Sequence, residues 1–123
     1  MPDGEIRAAL SNALVALMKE HYGKGPTAAK SYLNDEYVFT VLEGGLTRNE
    51  QTLLEAGEQR LVREYRLRFQ EAVSKTITTA IEEVTGRSVL AYHSQIVFEP
   101  DQMFEIFVLD GPPALPVEPD SDD

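Results

Sequence analysis

The stretch Thr47–Gly86, TRNEQTLLEAGEQRLVREYRLRFQEAVSKTITTAIEEVTG, decides how this chain is organised, because its helical periodicity separates two segments that read as β-hairpins. Thr47 and Glu50 stand three apart, the spacing of a capping box in which each side chain satisfies a free backbone amide of the other residue. From there Leu53, Leu54, Leu61, Val62, Tyr65, Phe69, Ala72, Val73, Ile77, Ala80, Ile81 and Val84 hold helical spacing up to Gly86, which sits where a left-handed C-cap belongs. At about 1.5 Å per residue an unbroken helix would run roughly 60 Å, more than a small domain can cover. The apolar spacing lapses between Leu54 and Leu61, and Gly57 lies in that gap; glycine inside a helix costs about 1 kcal/mol relative to alanine. The segment therefore predicts a short helix, a break at Gly57 and a long helix.

Upstream, Ile6, Leu10, Ala13, Leu14, Leu17 and Met18 recur at three and four between Glu5 and His21, the pattern of an amphipathic helix. Gly23 and Pro26 supply its stop. The runs TAAKSYLN and EYVFTVLEG are rich in β-branched and aromatic residues and meet at Asn34-Asp35-Glu36, a hairpin signal. Downstream, SVLAYHSQIVFE and MFEIFVLD flank Pro100-Asp101-Gln102 and predict a second hairpin. The order helix, hairpin, long broken helix, hairpin places the chain in the α+β class, with a four-stranded antiparallel sheet and helices packed on one face. Residues 1–110 read as a single domain. Residues 111–123, GPPALPVEPDSDD, read as a disordered, acidic, proline-rich tail.

Apolar residues make up 42% of the 123, enough for a core of its own. There is no apolar run of about 18 residues, and MPDGEIRAAL lacks the basic and apolar regions of a signal peptide, so the expected location is cytoplasmic, without direct membrane insertion. The absence of cysteine excludes disulfides, thiol chemistry and zinc fingers. Eleven basic and 21 acidic residues give a net charge of −10; removing the tail acids Glu118, Asp120, Asp122 and Asp123 leaves −6. Such a body repels nucleic acid and anionic lipid. The one basic cluster, RLVREYRLR, cannot align Arg60, Arg63, Arg66 and Arg68 on one helix face, and Tyr65 and Phe69 do not interleave with them as stacking platforms. It reads as a solvated or dimer-bridging face with pairs such as Arg60 and Glu64, and no nucleic-acid partner is expected.

The strands are apolar on both faces. In the last one Phe104, Ile106 and Val108 oppose Met103, Phe107 and Leu109, and in the first hairpin Tyr37, Phe39 and Val41 oppose Val38 and Leu42. A two-layer domain leaves one face wet, so a second copy is the simplest cover and a homodimer is expected. The candidate interface residues are Tyr65 and Phe69 on the long helix with Met103, Phe107 and Leu109 on the strand.

The turn HYGKGPTAAK raises the question of a phosphate cradle. A Walker loop needs four residues between its first glycine and Gly-Lys, and a helix after them. Here no glycine stands at that distance, Pro26 removes an amide donor and a strand follows. Punctuation of the helix end is the simpler reading, with Lys24 complementing exposed carbonyls. Lys24, Gly25 and Thr27 remain the candidate ligand-binding residues for an anion. His21 and His93 have nothing in sequence to bring them together, and Glu99, Asp101 and Glu105 lack calcium-loop spacing. No nucleophile is paired with a recognisable base. The sequence therefore offers no catalytic residue, no metal set and no cofactor site.

The turn G-K-G-P, the junction L-E-G-x-L-T at Leu42–Thr47, the motif E-E-x-T-G-R at Glu82–Arg87 and the close DQMFEIFVLD together resemble the MpsC-like family of small bacterial proteins, from about Ile6 to Asp110. The resemblance implies a link to a membrane-potential-generating system and to inorganic carbon uptake, reached through a membrane partner. It carries over no catalytic residue, and the acidic tail is not expected of the family. The expected function is that of a non-enzymatic, dimeric accessory or regulatory protein acting through protein–protein interaction; the alternative is a sensor of a small anionic ligand at the Gly-Lys-Gly-Pro-Thr turn.

Overall fold

The computed structural model describes residues 3–113. Helix α1 (Asp3–Tyr22) leads into the hairpin β1 (Ala28–Asn34) and β2 (Tyr37–Glu43); helices α2 (Arg48–Glu55), α3 (Gln59–Ala72) and α4 (Ser74–Thr85) follow, and β3 (Val89–Val97) and β4 (Gln102–Leu109) close the chain. All strand pairs are antiparallel, in the order β1-β2-β4-β3. The class is α+β, as the sequence predicts.

The local signals in the sequence act at the positions they predict. Gly23 takes φ +81 and its amide caps α1 on the Lys19 carbonyl at 2.9 Å. Thr47 and Glu50 form the reciprocal capping box. Gly57 at φ +83 separates α2 from α3, and Gly86 at φ +70 ends α4. Asp35 carries the first hairpin turn in the left-handed region, which short polar side chains tolerate.

The long helix breaks a second time, at Val73, which leaves helical geometry with φ −104 and ψ 12. No glycine or proline marks the place. The bend lets α3 lie on β3 while α4 packs on both α1 and β3, which one straight rod could not do.

The register sorts every strand residue onto one of two faces, since side chains alternate. The inner face has three rows across the sheet: Leu33–Val38–Phe107–Tyr92, Ser31–Thr40–Glu105–Ser94 and Ala29–Leu42–Met103–Ile96. Ile6, Leu10, Leu14 and Met18 of α1 and Ile77 and Ile81 of α4 close over it as one core. The expected tail begins at Gly111; from residue 114 onward it lies outside the described residues.

Candidate functional site

The Gly-Lys-Gly-Pro-Thr turn is a clasp between α1 and the β2–α2 junction. Lys24 Nζ donates to the Leu46 carbonyl at 3.1 Å, and Thr27 gives the Glu43 carbonyl both its amide (2.8 Å) and its hydroxyl (3.2 Å). A Cβ on Gly25 would lie 3.1 Å from Lys19 Cβ; one on Gly44, at φ +75, would lie 2.3 Å from Thr27 Oγ1. Asp101 holds the other side, accepting from Gly44 N through its carbonyl and from Leu46 N through its carboxylate. Lys24 thus gives one of its three donors, and Thr27 both its amide and its hydroxyl, to backbone carbonyls of the chain's own β2–α2 junction. The other family-like stretch behaves alike: Glu82 accepts from Val89 N, the Thr85 hydroxyl accepts from Arg87 N, and Arg87 Nε donates to the Pro112 carbonyl.

Behind the clasp lies Arg66, which is 1% exposed. It shares a helical stripe with Val62 and Gln70, the buried residues of α3, and enters the interior rather than the solvated face expected for it. Its guanidinium donates to both Glu50 oxygens at 2.5 Å, to the Gly45 carbonyl at 2.8 Å and to Met103 sulfur, and it stacks 3.9 Å from the Tyr22 ring. Glu50 thus serves as capping residue and counter-ion together. Burial pushes its carboxyl up, but the Arg66 and Thr47 hydrogen bonds outweigh that and hold it below the usual range. Burial raises the Tyr22 hydroxyl to about 12.

The remaining arginines of RLVREYRLR disperse. Arg63 lies over the Phe98 ring, and Arg68, not Arg60, pairs with Glu64 at 3.3 Å in an exposed contact worth little.

Glu105, at 0% exposure, occupies the middle of the sheet's inner face. The Tyr92 hydroxyl donates to one carboxylate oxygen and Ser94 to the other, at 2.6 Å for Ser94. Gln70 reaches down from α3 to both hydroxyls, 3.1 Å from Tyr92 Oη. Each hydroxyl has one proton, so an ionised Glu105 claims both and favours the Gln70 amide turned with its NH2 toward them. Burial raises the Glu105 carboxyl to about 7 against those bonds. The row continues through the hydroxyls of Thr40 and Ser31 (2.7 Å) to Ser11 of α1 (2.8 Å). A groove of about 330 Å³ lined by Gln70, Tyr92 and Ser94 opens this cluster to the surface.

The five candidate interface residues separate. Met103, Phe107 and Leu109 are 5, 0 and 1% exposed and belong to the chain's own core, because α1 and α4 cover the face to which they point. That assignment is corrected: the free face of β4 is the one with Phe104, Ile106 and Val108. Phe69 is half-buried, between Tyr22 and Tyr65. Tyr65 is exposed and lines a cleft of about 420 Å³ with His21, Leu53 and Leu61.

On the outer face, Tyr32, Phe39 and Phe104 stack across three strands at centroid distances of 5.9 and 5.8 Å. Both faces are apolar, as the sequence predicts, but the covered one is the face of Met103, Phe107 and Leu109. Arg66 is buried where the sequence suggests a solvated or dimer-bridging face, Glu105 belongs to the inner face of the sheet and not to the turn cluster with Glu99 and Asp101, and Gln70 carries no sequence signal beyond the four-residue spacing Val62–Arg66–Gln70.

Among the described residues no helix is long and apolar enough to cross a membrane. No curated protein and no solved structure matches the chain significantly. The profile of one family, described as the Na+-translocating membrane potential-generating system (MpsC), matches residues 2–111, which takes in all four helices, all four strands and each of the junctions above. The chain belongs to the MpsC family.

Proposed function

We propose that this protein is a non-enzymatic accessory or regulatory component that works in the cytoplasm as a homodimer and binds another protein, a subunit of a membrane complex that transports ions or inorganic carbon. The observation that carries the reading is the outer face of the sheet, where an aromatic and aliphatic surface lies uncovered by any helix among the described residues. Surfaces of this kind mark sites of association. The family's description supplies the membrane system, and the commitment of Lys24, Thr27 and Arg66 to internal partners favours a binding surface over an anion site or a reaction centre.

The test is isolation of the tagged protein from its own cells in mild detergent, followed by mass spectrometry. Integral transport subunits recovered in fixed proportion support the reading. Recovery of the protein alone overturns the partner assignment.

A further inference from the structure

We infer that the outer face of the sheet binds the same face of a second copy of this chain. The inference rests on the dimeric reading above and assigns the outer face, among the partners named there, to the second copy.

The four outer rows are Asn34–Tyr37–Val108–Ala91, Tyr32–Phe39–Ile106–His93, Lys30–Val41–Phe104–Gln95 and Ala28–Glu43–Gln102–Val97. Of these positions only Lys30 and Glu43 carry full charges, and Glu43 lies at the end of its strand. The chain around them is strongly acidic, at −10 overall. An anionic partner would find a single lysine on this face and a basic partner a single glutamate. A surface equally apolar and equally uncharged matches it best, and the chain itself supplies one.

The face is also self-complementary. A two-fold axis parallel to the strands, between β2 and β4, lays β2 of one copy over β4 of the other. Phe39 then meets Ile106 and Val41 meets Phe104, while at the edges Lys30 meets Gln95 and Tyr32 meets His93. No like charges come together. Aligned sheets pack face to face at about 10 Å, with mean strand directions within about 30° of each other. Four rows of four outward residues, with the flanking turns, approach the roughly 20–30 residues per side of a standard interface. The ring stack is already ordered within one chain, its planes inclined by 28° and 16°, so little side-chain freedom is lost on association.

The experiment is sedimentation equilibrium of the full chain and three variants. Ile106→Glu and Tyr32→Glu place a carboxylate in the proposed interface, at positions 37 and 43% exposed in the single chain, and Tyr65→Glu places one on the helical surface. The expected result is a dimeric parent, a rise of roughly 100-fold or more in the dimer dissociation constant for either sheet variant, and no change for Tyr65→Glu. Circular dichroism confirms the fold of each, and Tyr32→Glu on the edge strand gives the answer if Ile106→Glu does not fold. A dimer untouched by the sheet variants overturns the face while leaving the dimer standing. A monomeric parent overturns both.

Discussion

On the inner face of the sheet the middle row, Ser31, Thr40, Glu105 and Ser94, is polar and lies beneath the helices, whereas on the outer face the middle rows turn Phe39, Val41, Phe104 and Ile106 away from them. Polarity alone would assign these faces the other way round. What decides is topology: α1 and α4 bring a wide apolar layer to one side, and the apolar rows above and below the polar one answer it. The polar row persists there because its members find partners in one another and in Gln70 and Ser11. An uncovered apolar face has no such local remedy.

The sharpest way to break this comparison is to truncate the same residue type on each side of one strand. Phe107→Ala opens a cavity under the helices and is expected to lose about 3–5 kcal/mol in denaturant unfolding, while Phe104→Ala loses about 1 kcal/mol or less when measured at monomer concentrations. Equal losses would mean that the outer face is as integral to the single chain as the inner one.

Arg66→Ala leaves Glu50 buried without its counter-charge, and a loss of about 3–5 kcal/mol is expected by the same measurement. A loss below about 1 kcal/mol would show that the pair is not formed in the interior.

Glu105→Gln addresses the polar row through pH. A carboxyl titrating at about 7 when folded and about 4.5 when unfolded binds more protons in the folded state between those values. Its contribution is therefore fully present below about pH 4.5 and is lost as pH rises toward and through 7. The variant removes that slope: it should match the parent near pH 4 and exceed its stability by up to about 3 kcal/mol at pH 8. Parallel melting curves across that range would show that Glu105 ionises as an ordinary surface acid.

The smallest effects are expected at two left-handed glycines. Gly44→Ala drives a methyl into Thr27 and should cost about 2 kcal/mol; Gly57→Ala, with nothing within 4 Å, carries backbone strain alone and should cost about 1 kcal/mol. Thermal melts compare the pair directly, and a reversal of their order would place the clasp elsewhere.

Much of the fold was legible because its signals are local. The capping box at Thr47 and Glu50, the glycines at 23, 57 and 86 and both hairpin turns each depend on residues a few positions apart. The bend at Val73 was not, since it answers the positions of α1 and β3 and no residue in its own window announces it. The site was less legible for the same reason. Arg66 looks like a surface arginine until Glu50, 16 positions earlier, is brought beside it, and Glu105 looks like the charge that marks a wet strand face. Read along β4 alone, Glu105 sends Met103, Phe107 and Leu109 outward with it; only Tyr92, Ser94 and Gln70, from other elements, reverse that.

The same division of the sheet has an optical consequence. The chain has no tryptophan and five tyrosines, so its near-ultraviolet emission comes from tyrosine alone. Tyr92 donates to a carboxylate and Tyr22 lies against a guanidinium, environments that quench or perturb the excited phenol. Tyr32, Tyr37 and Tyr65 are open to water, the first two on the outer sheet and the third on α3. Unlabelled protein thus carries its own reporters, two of them on the outer sheet and one apart from it.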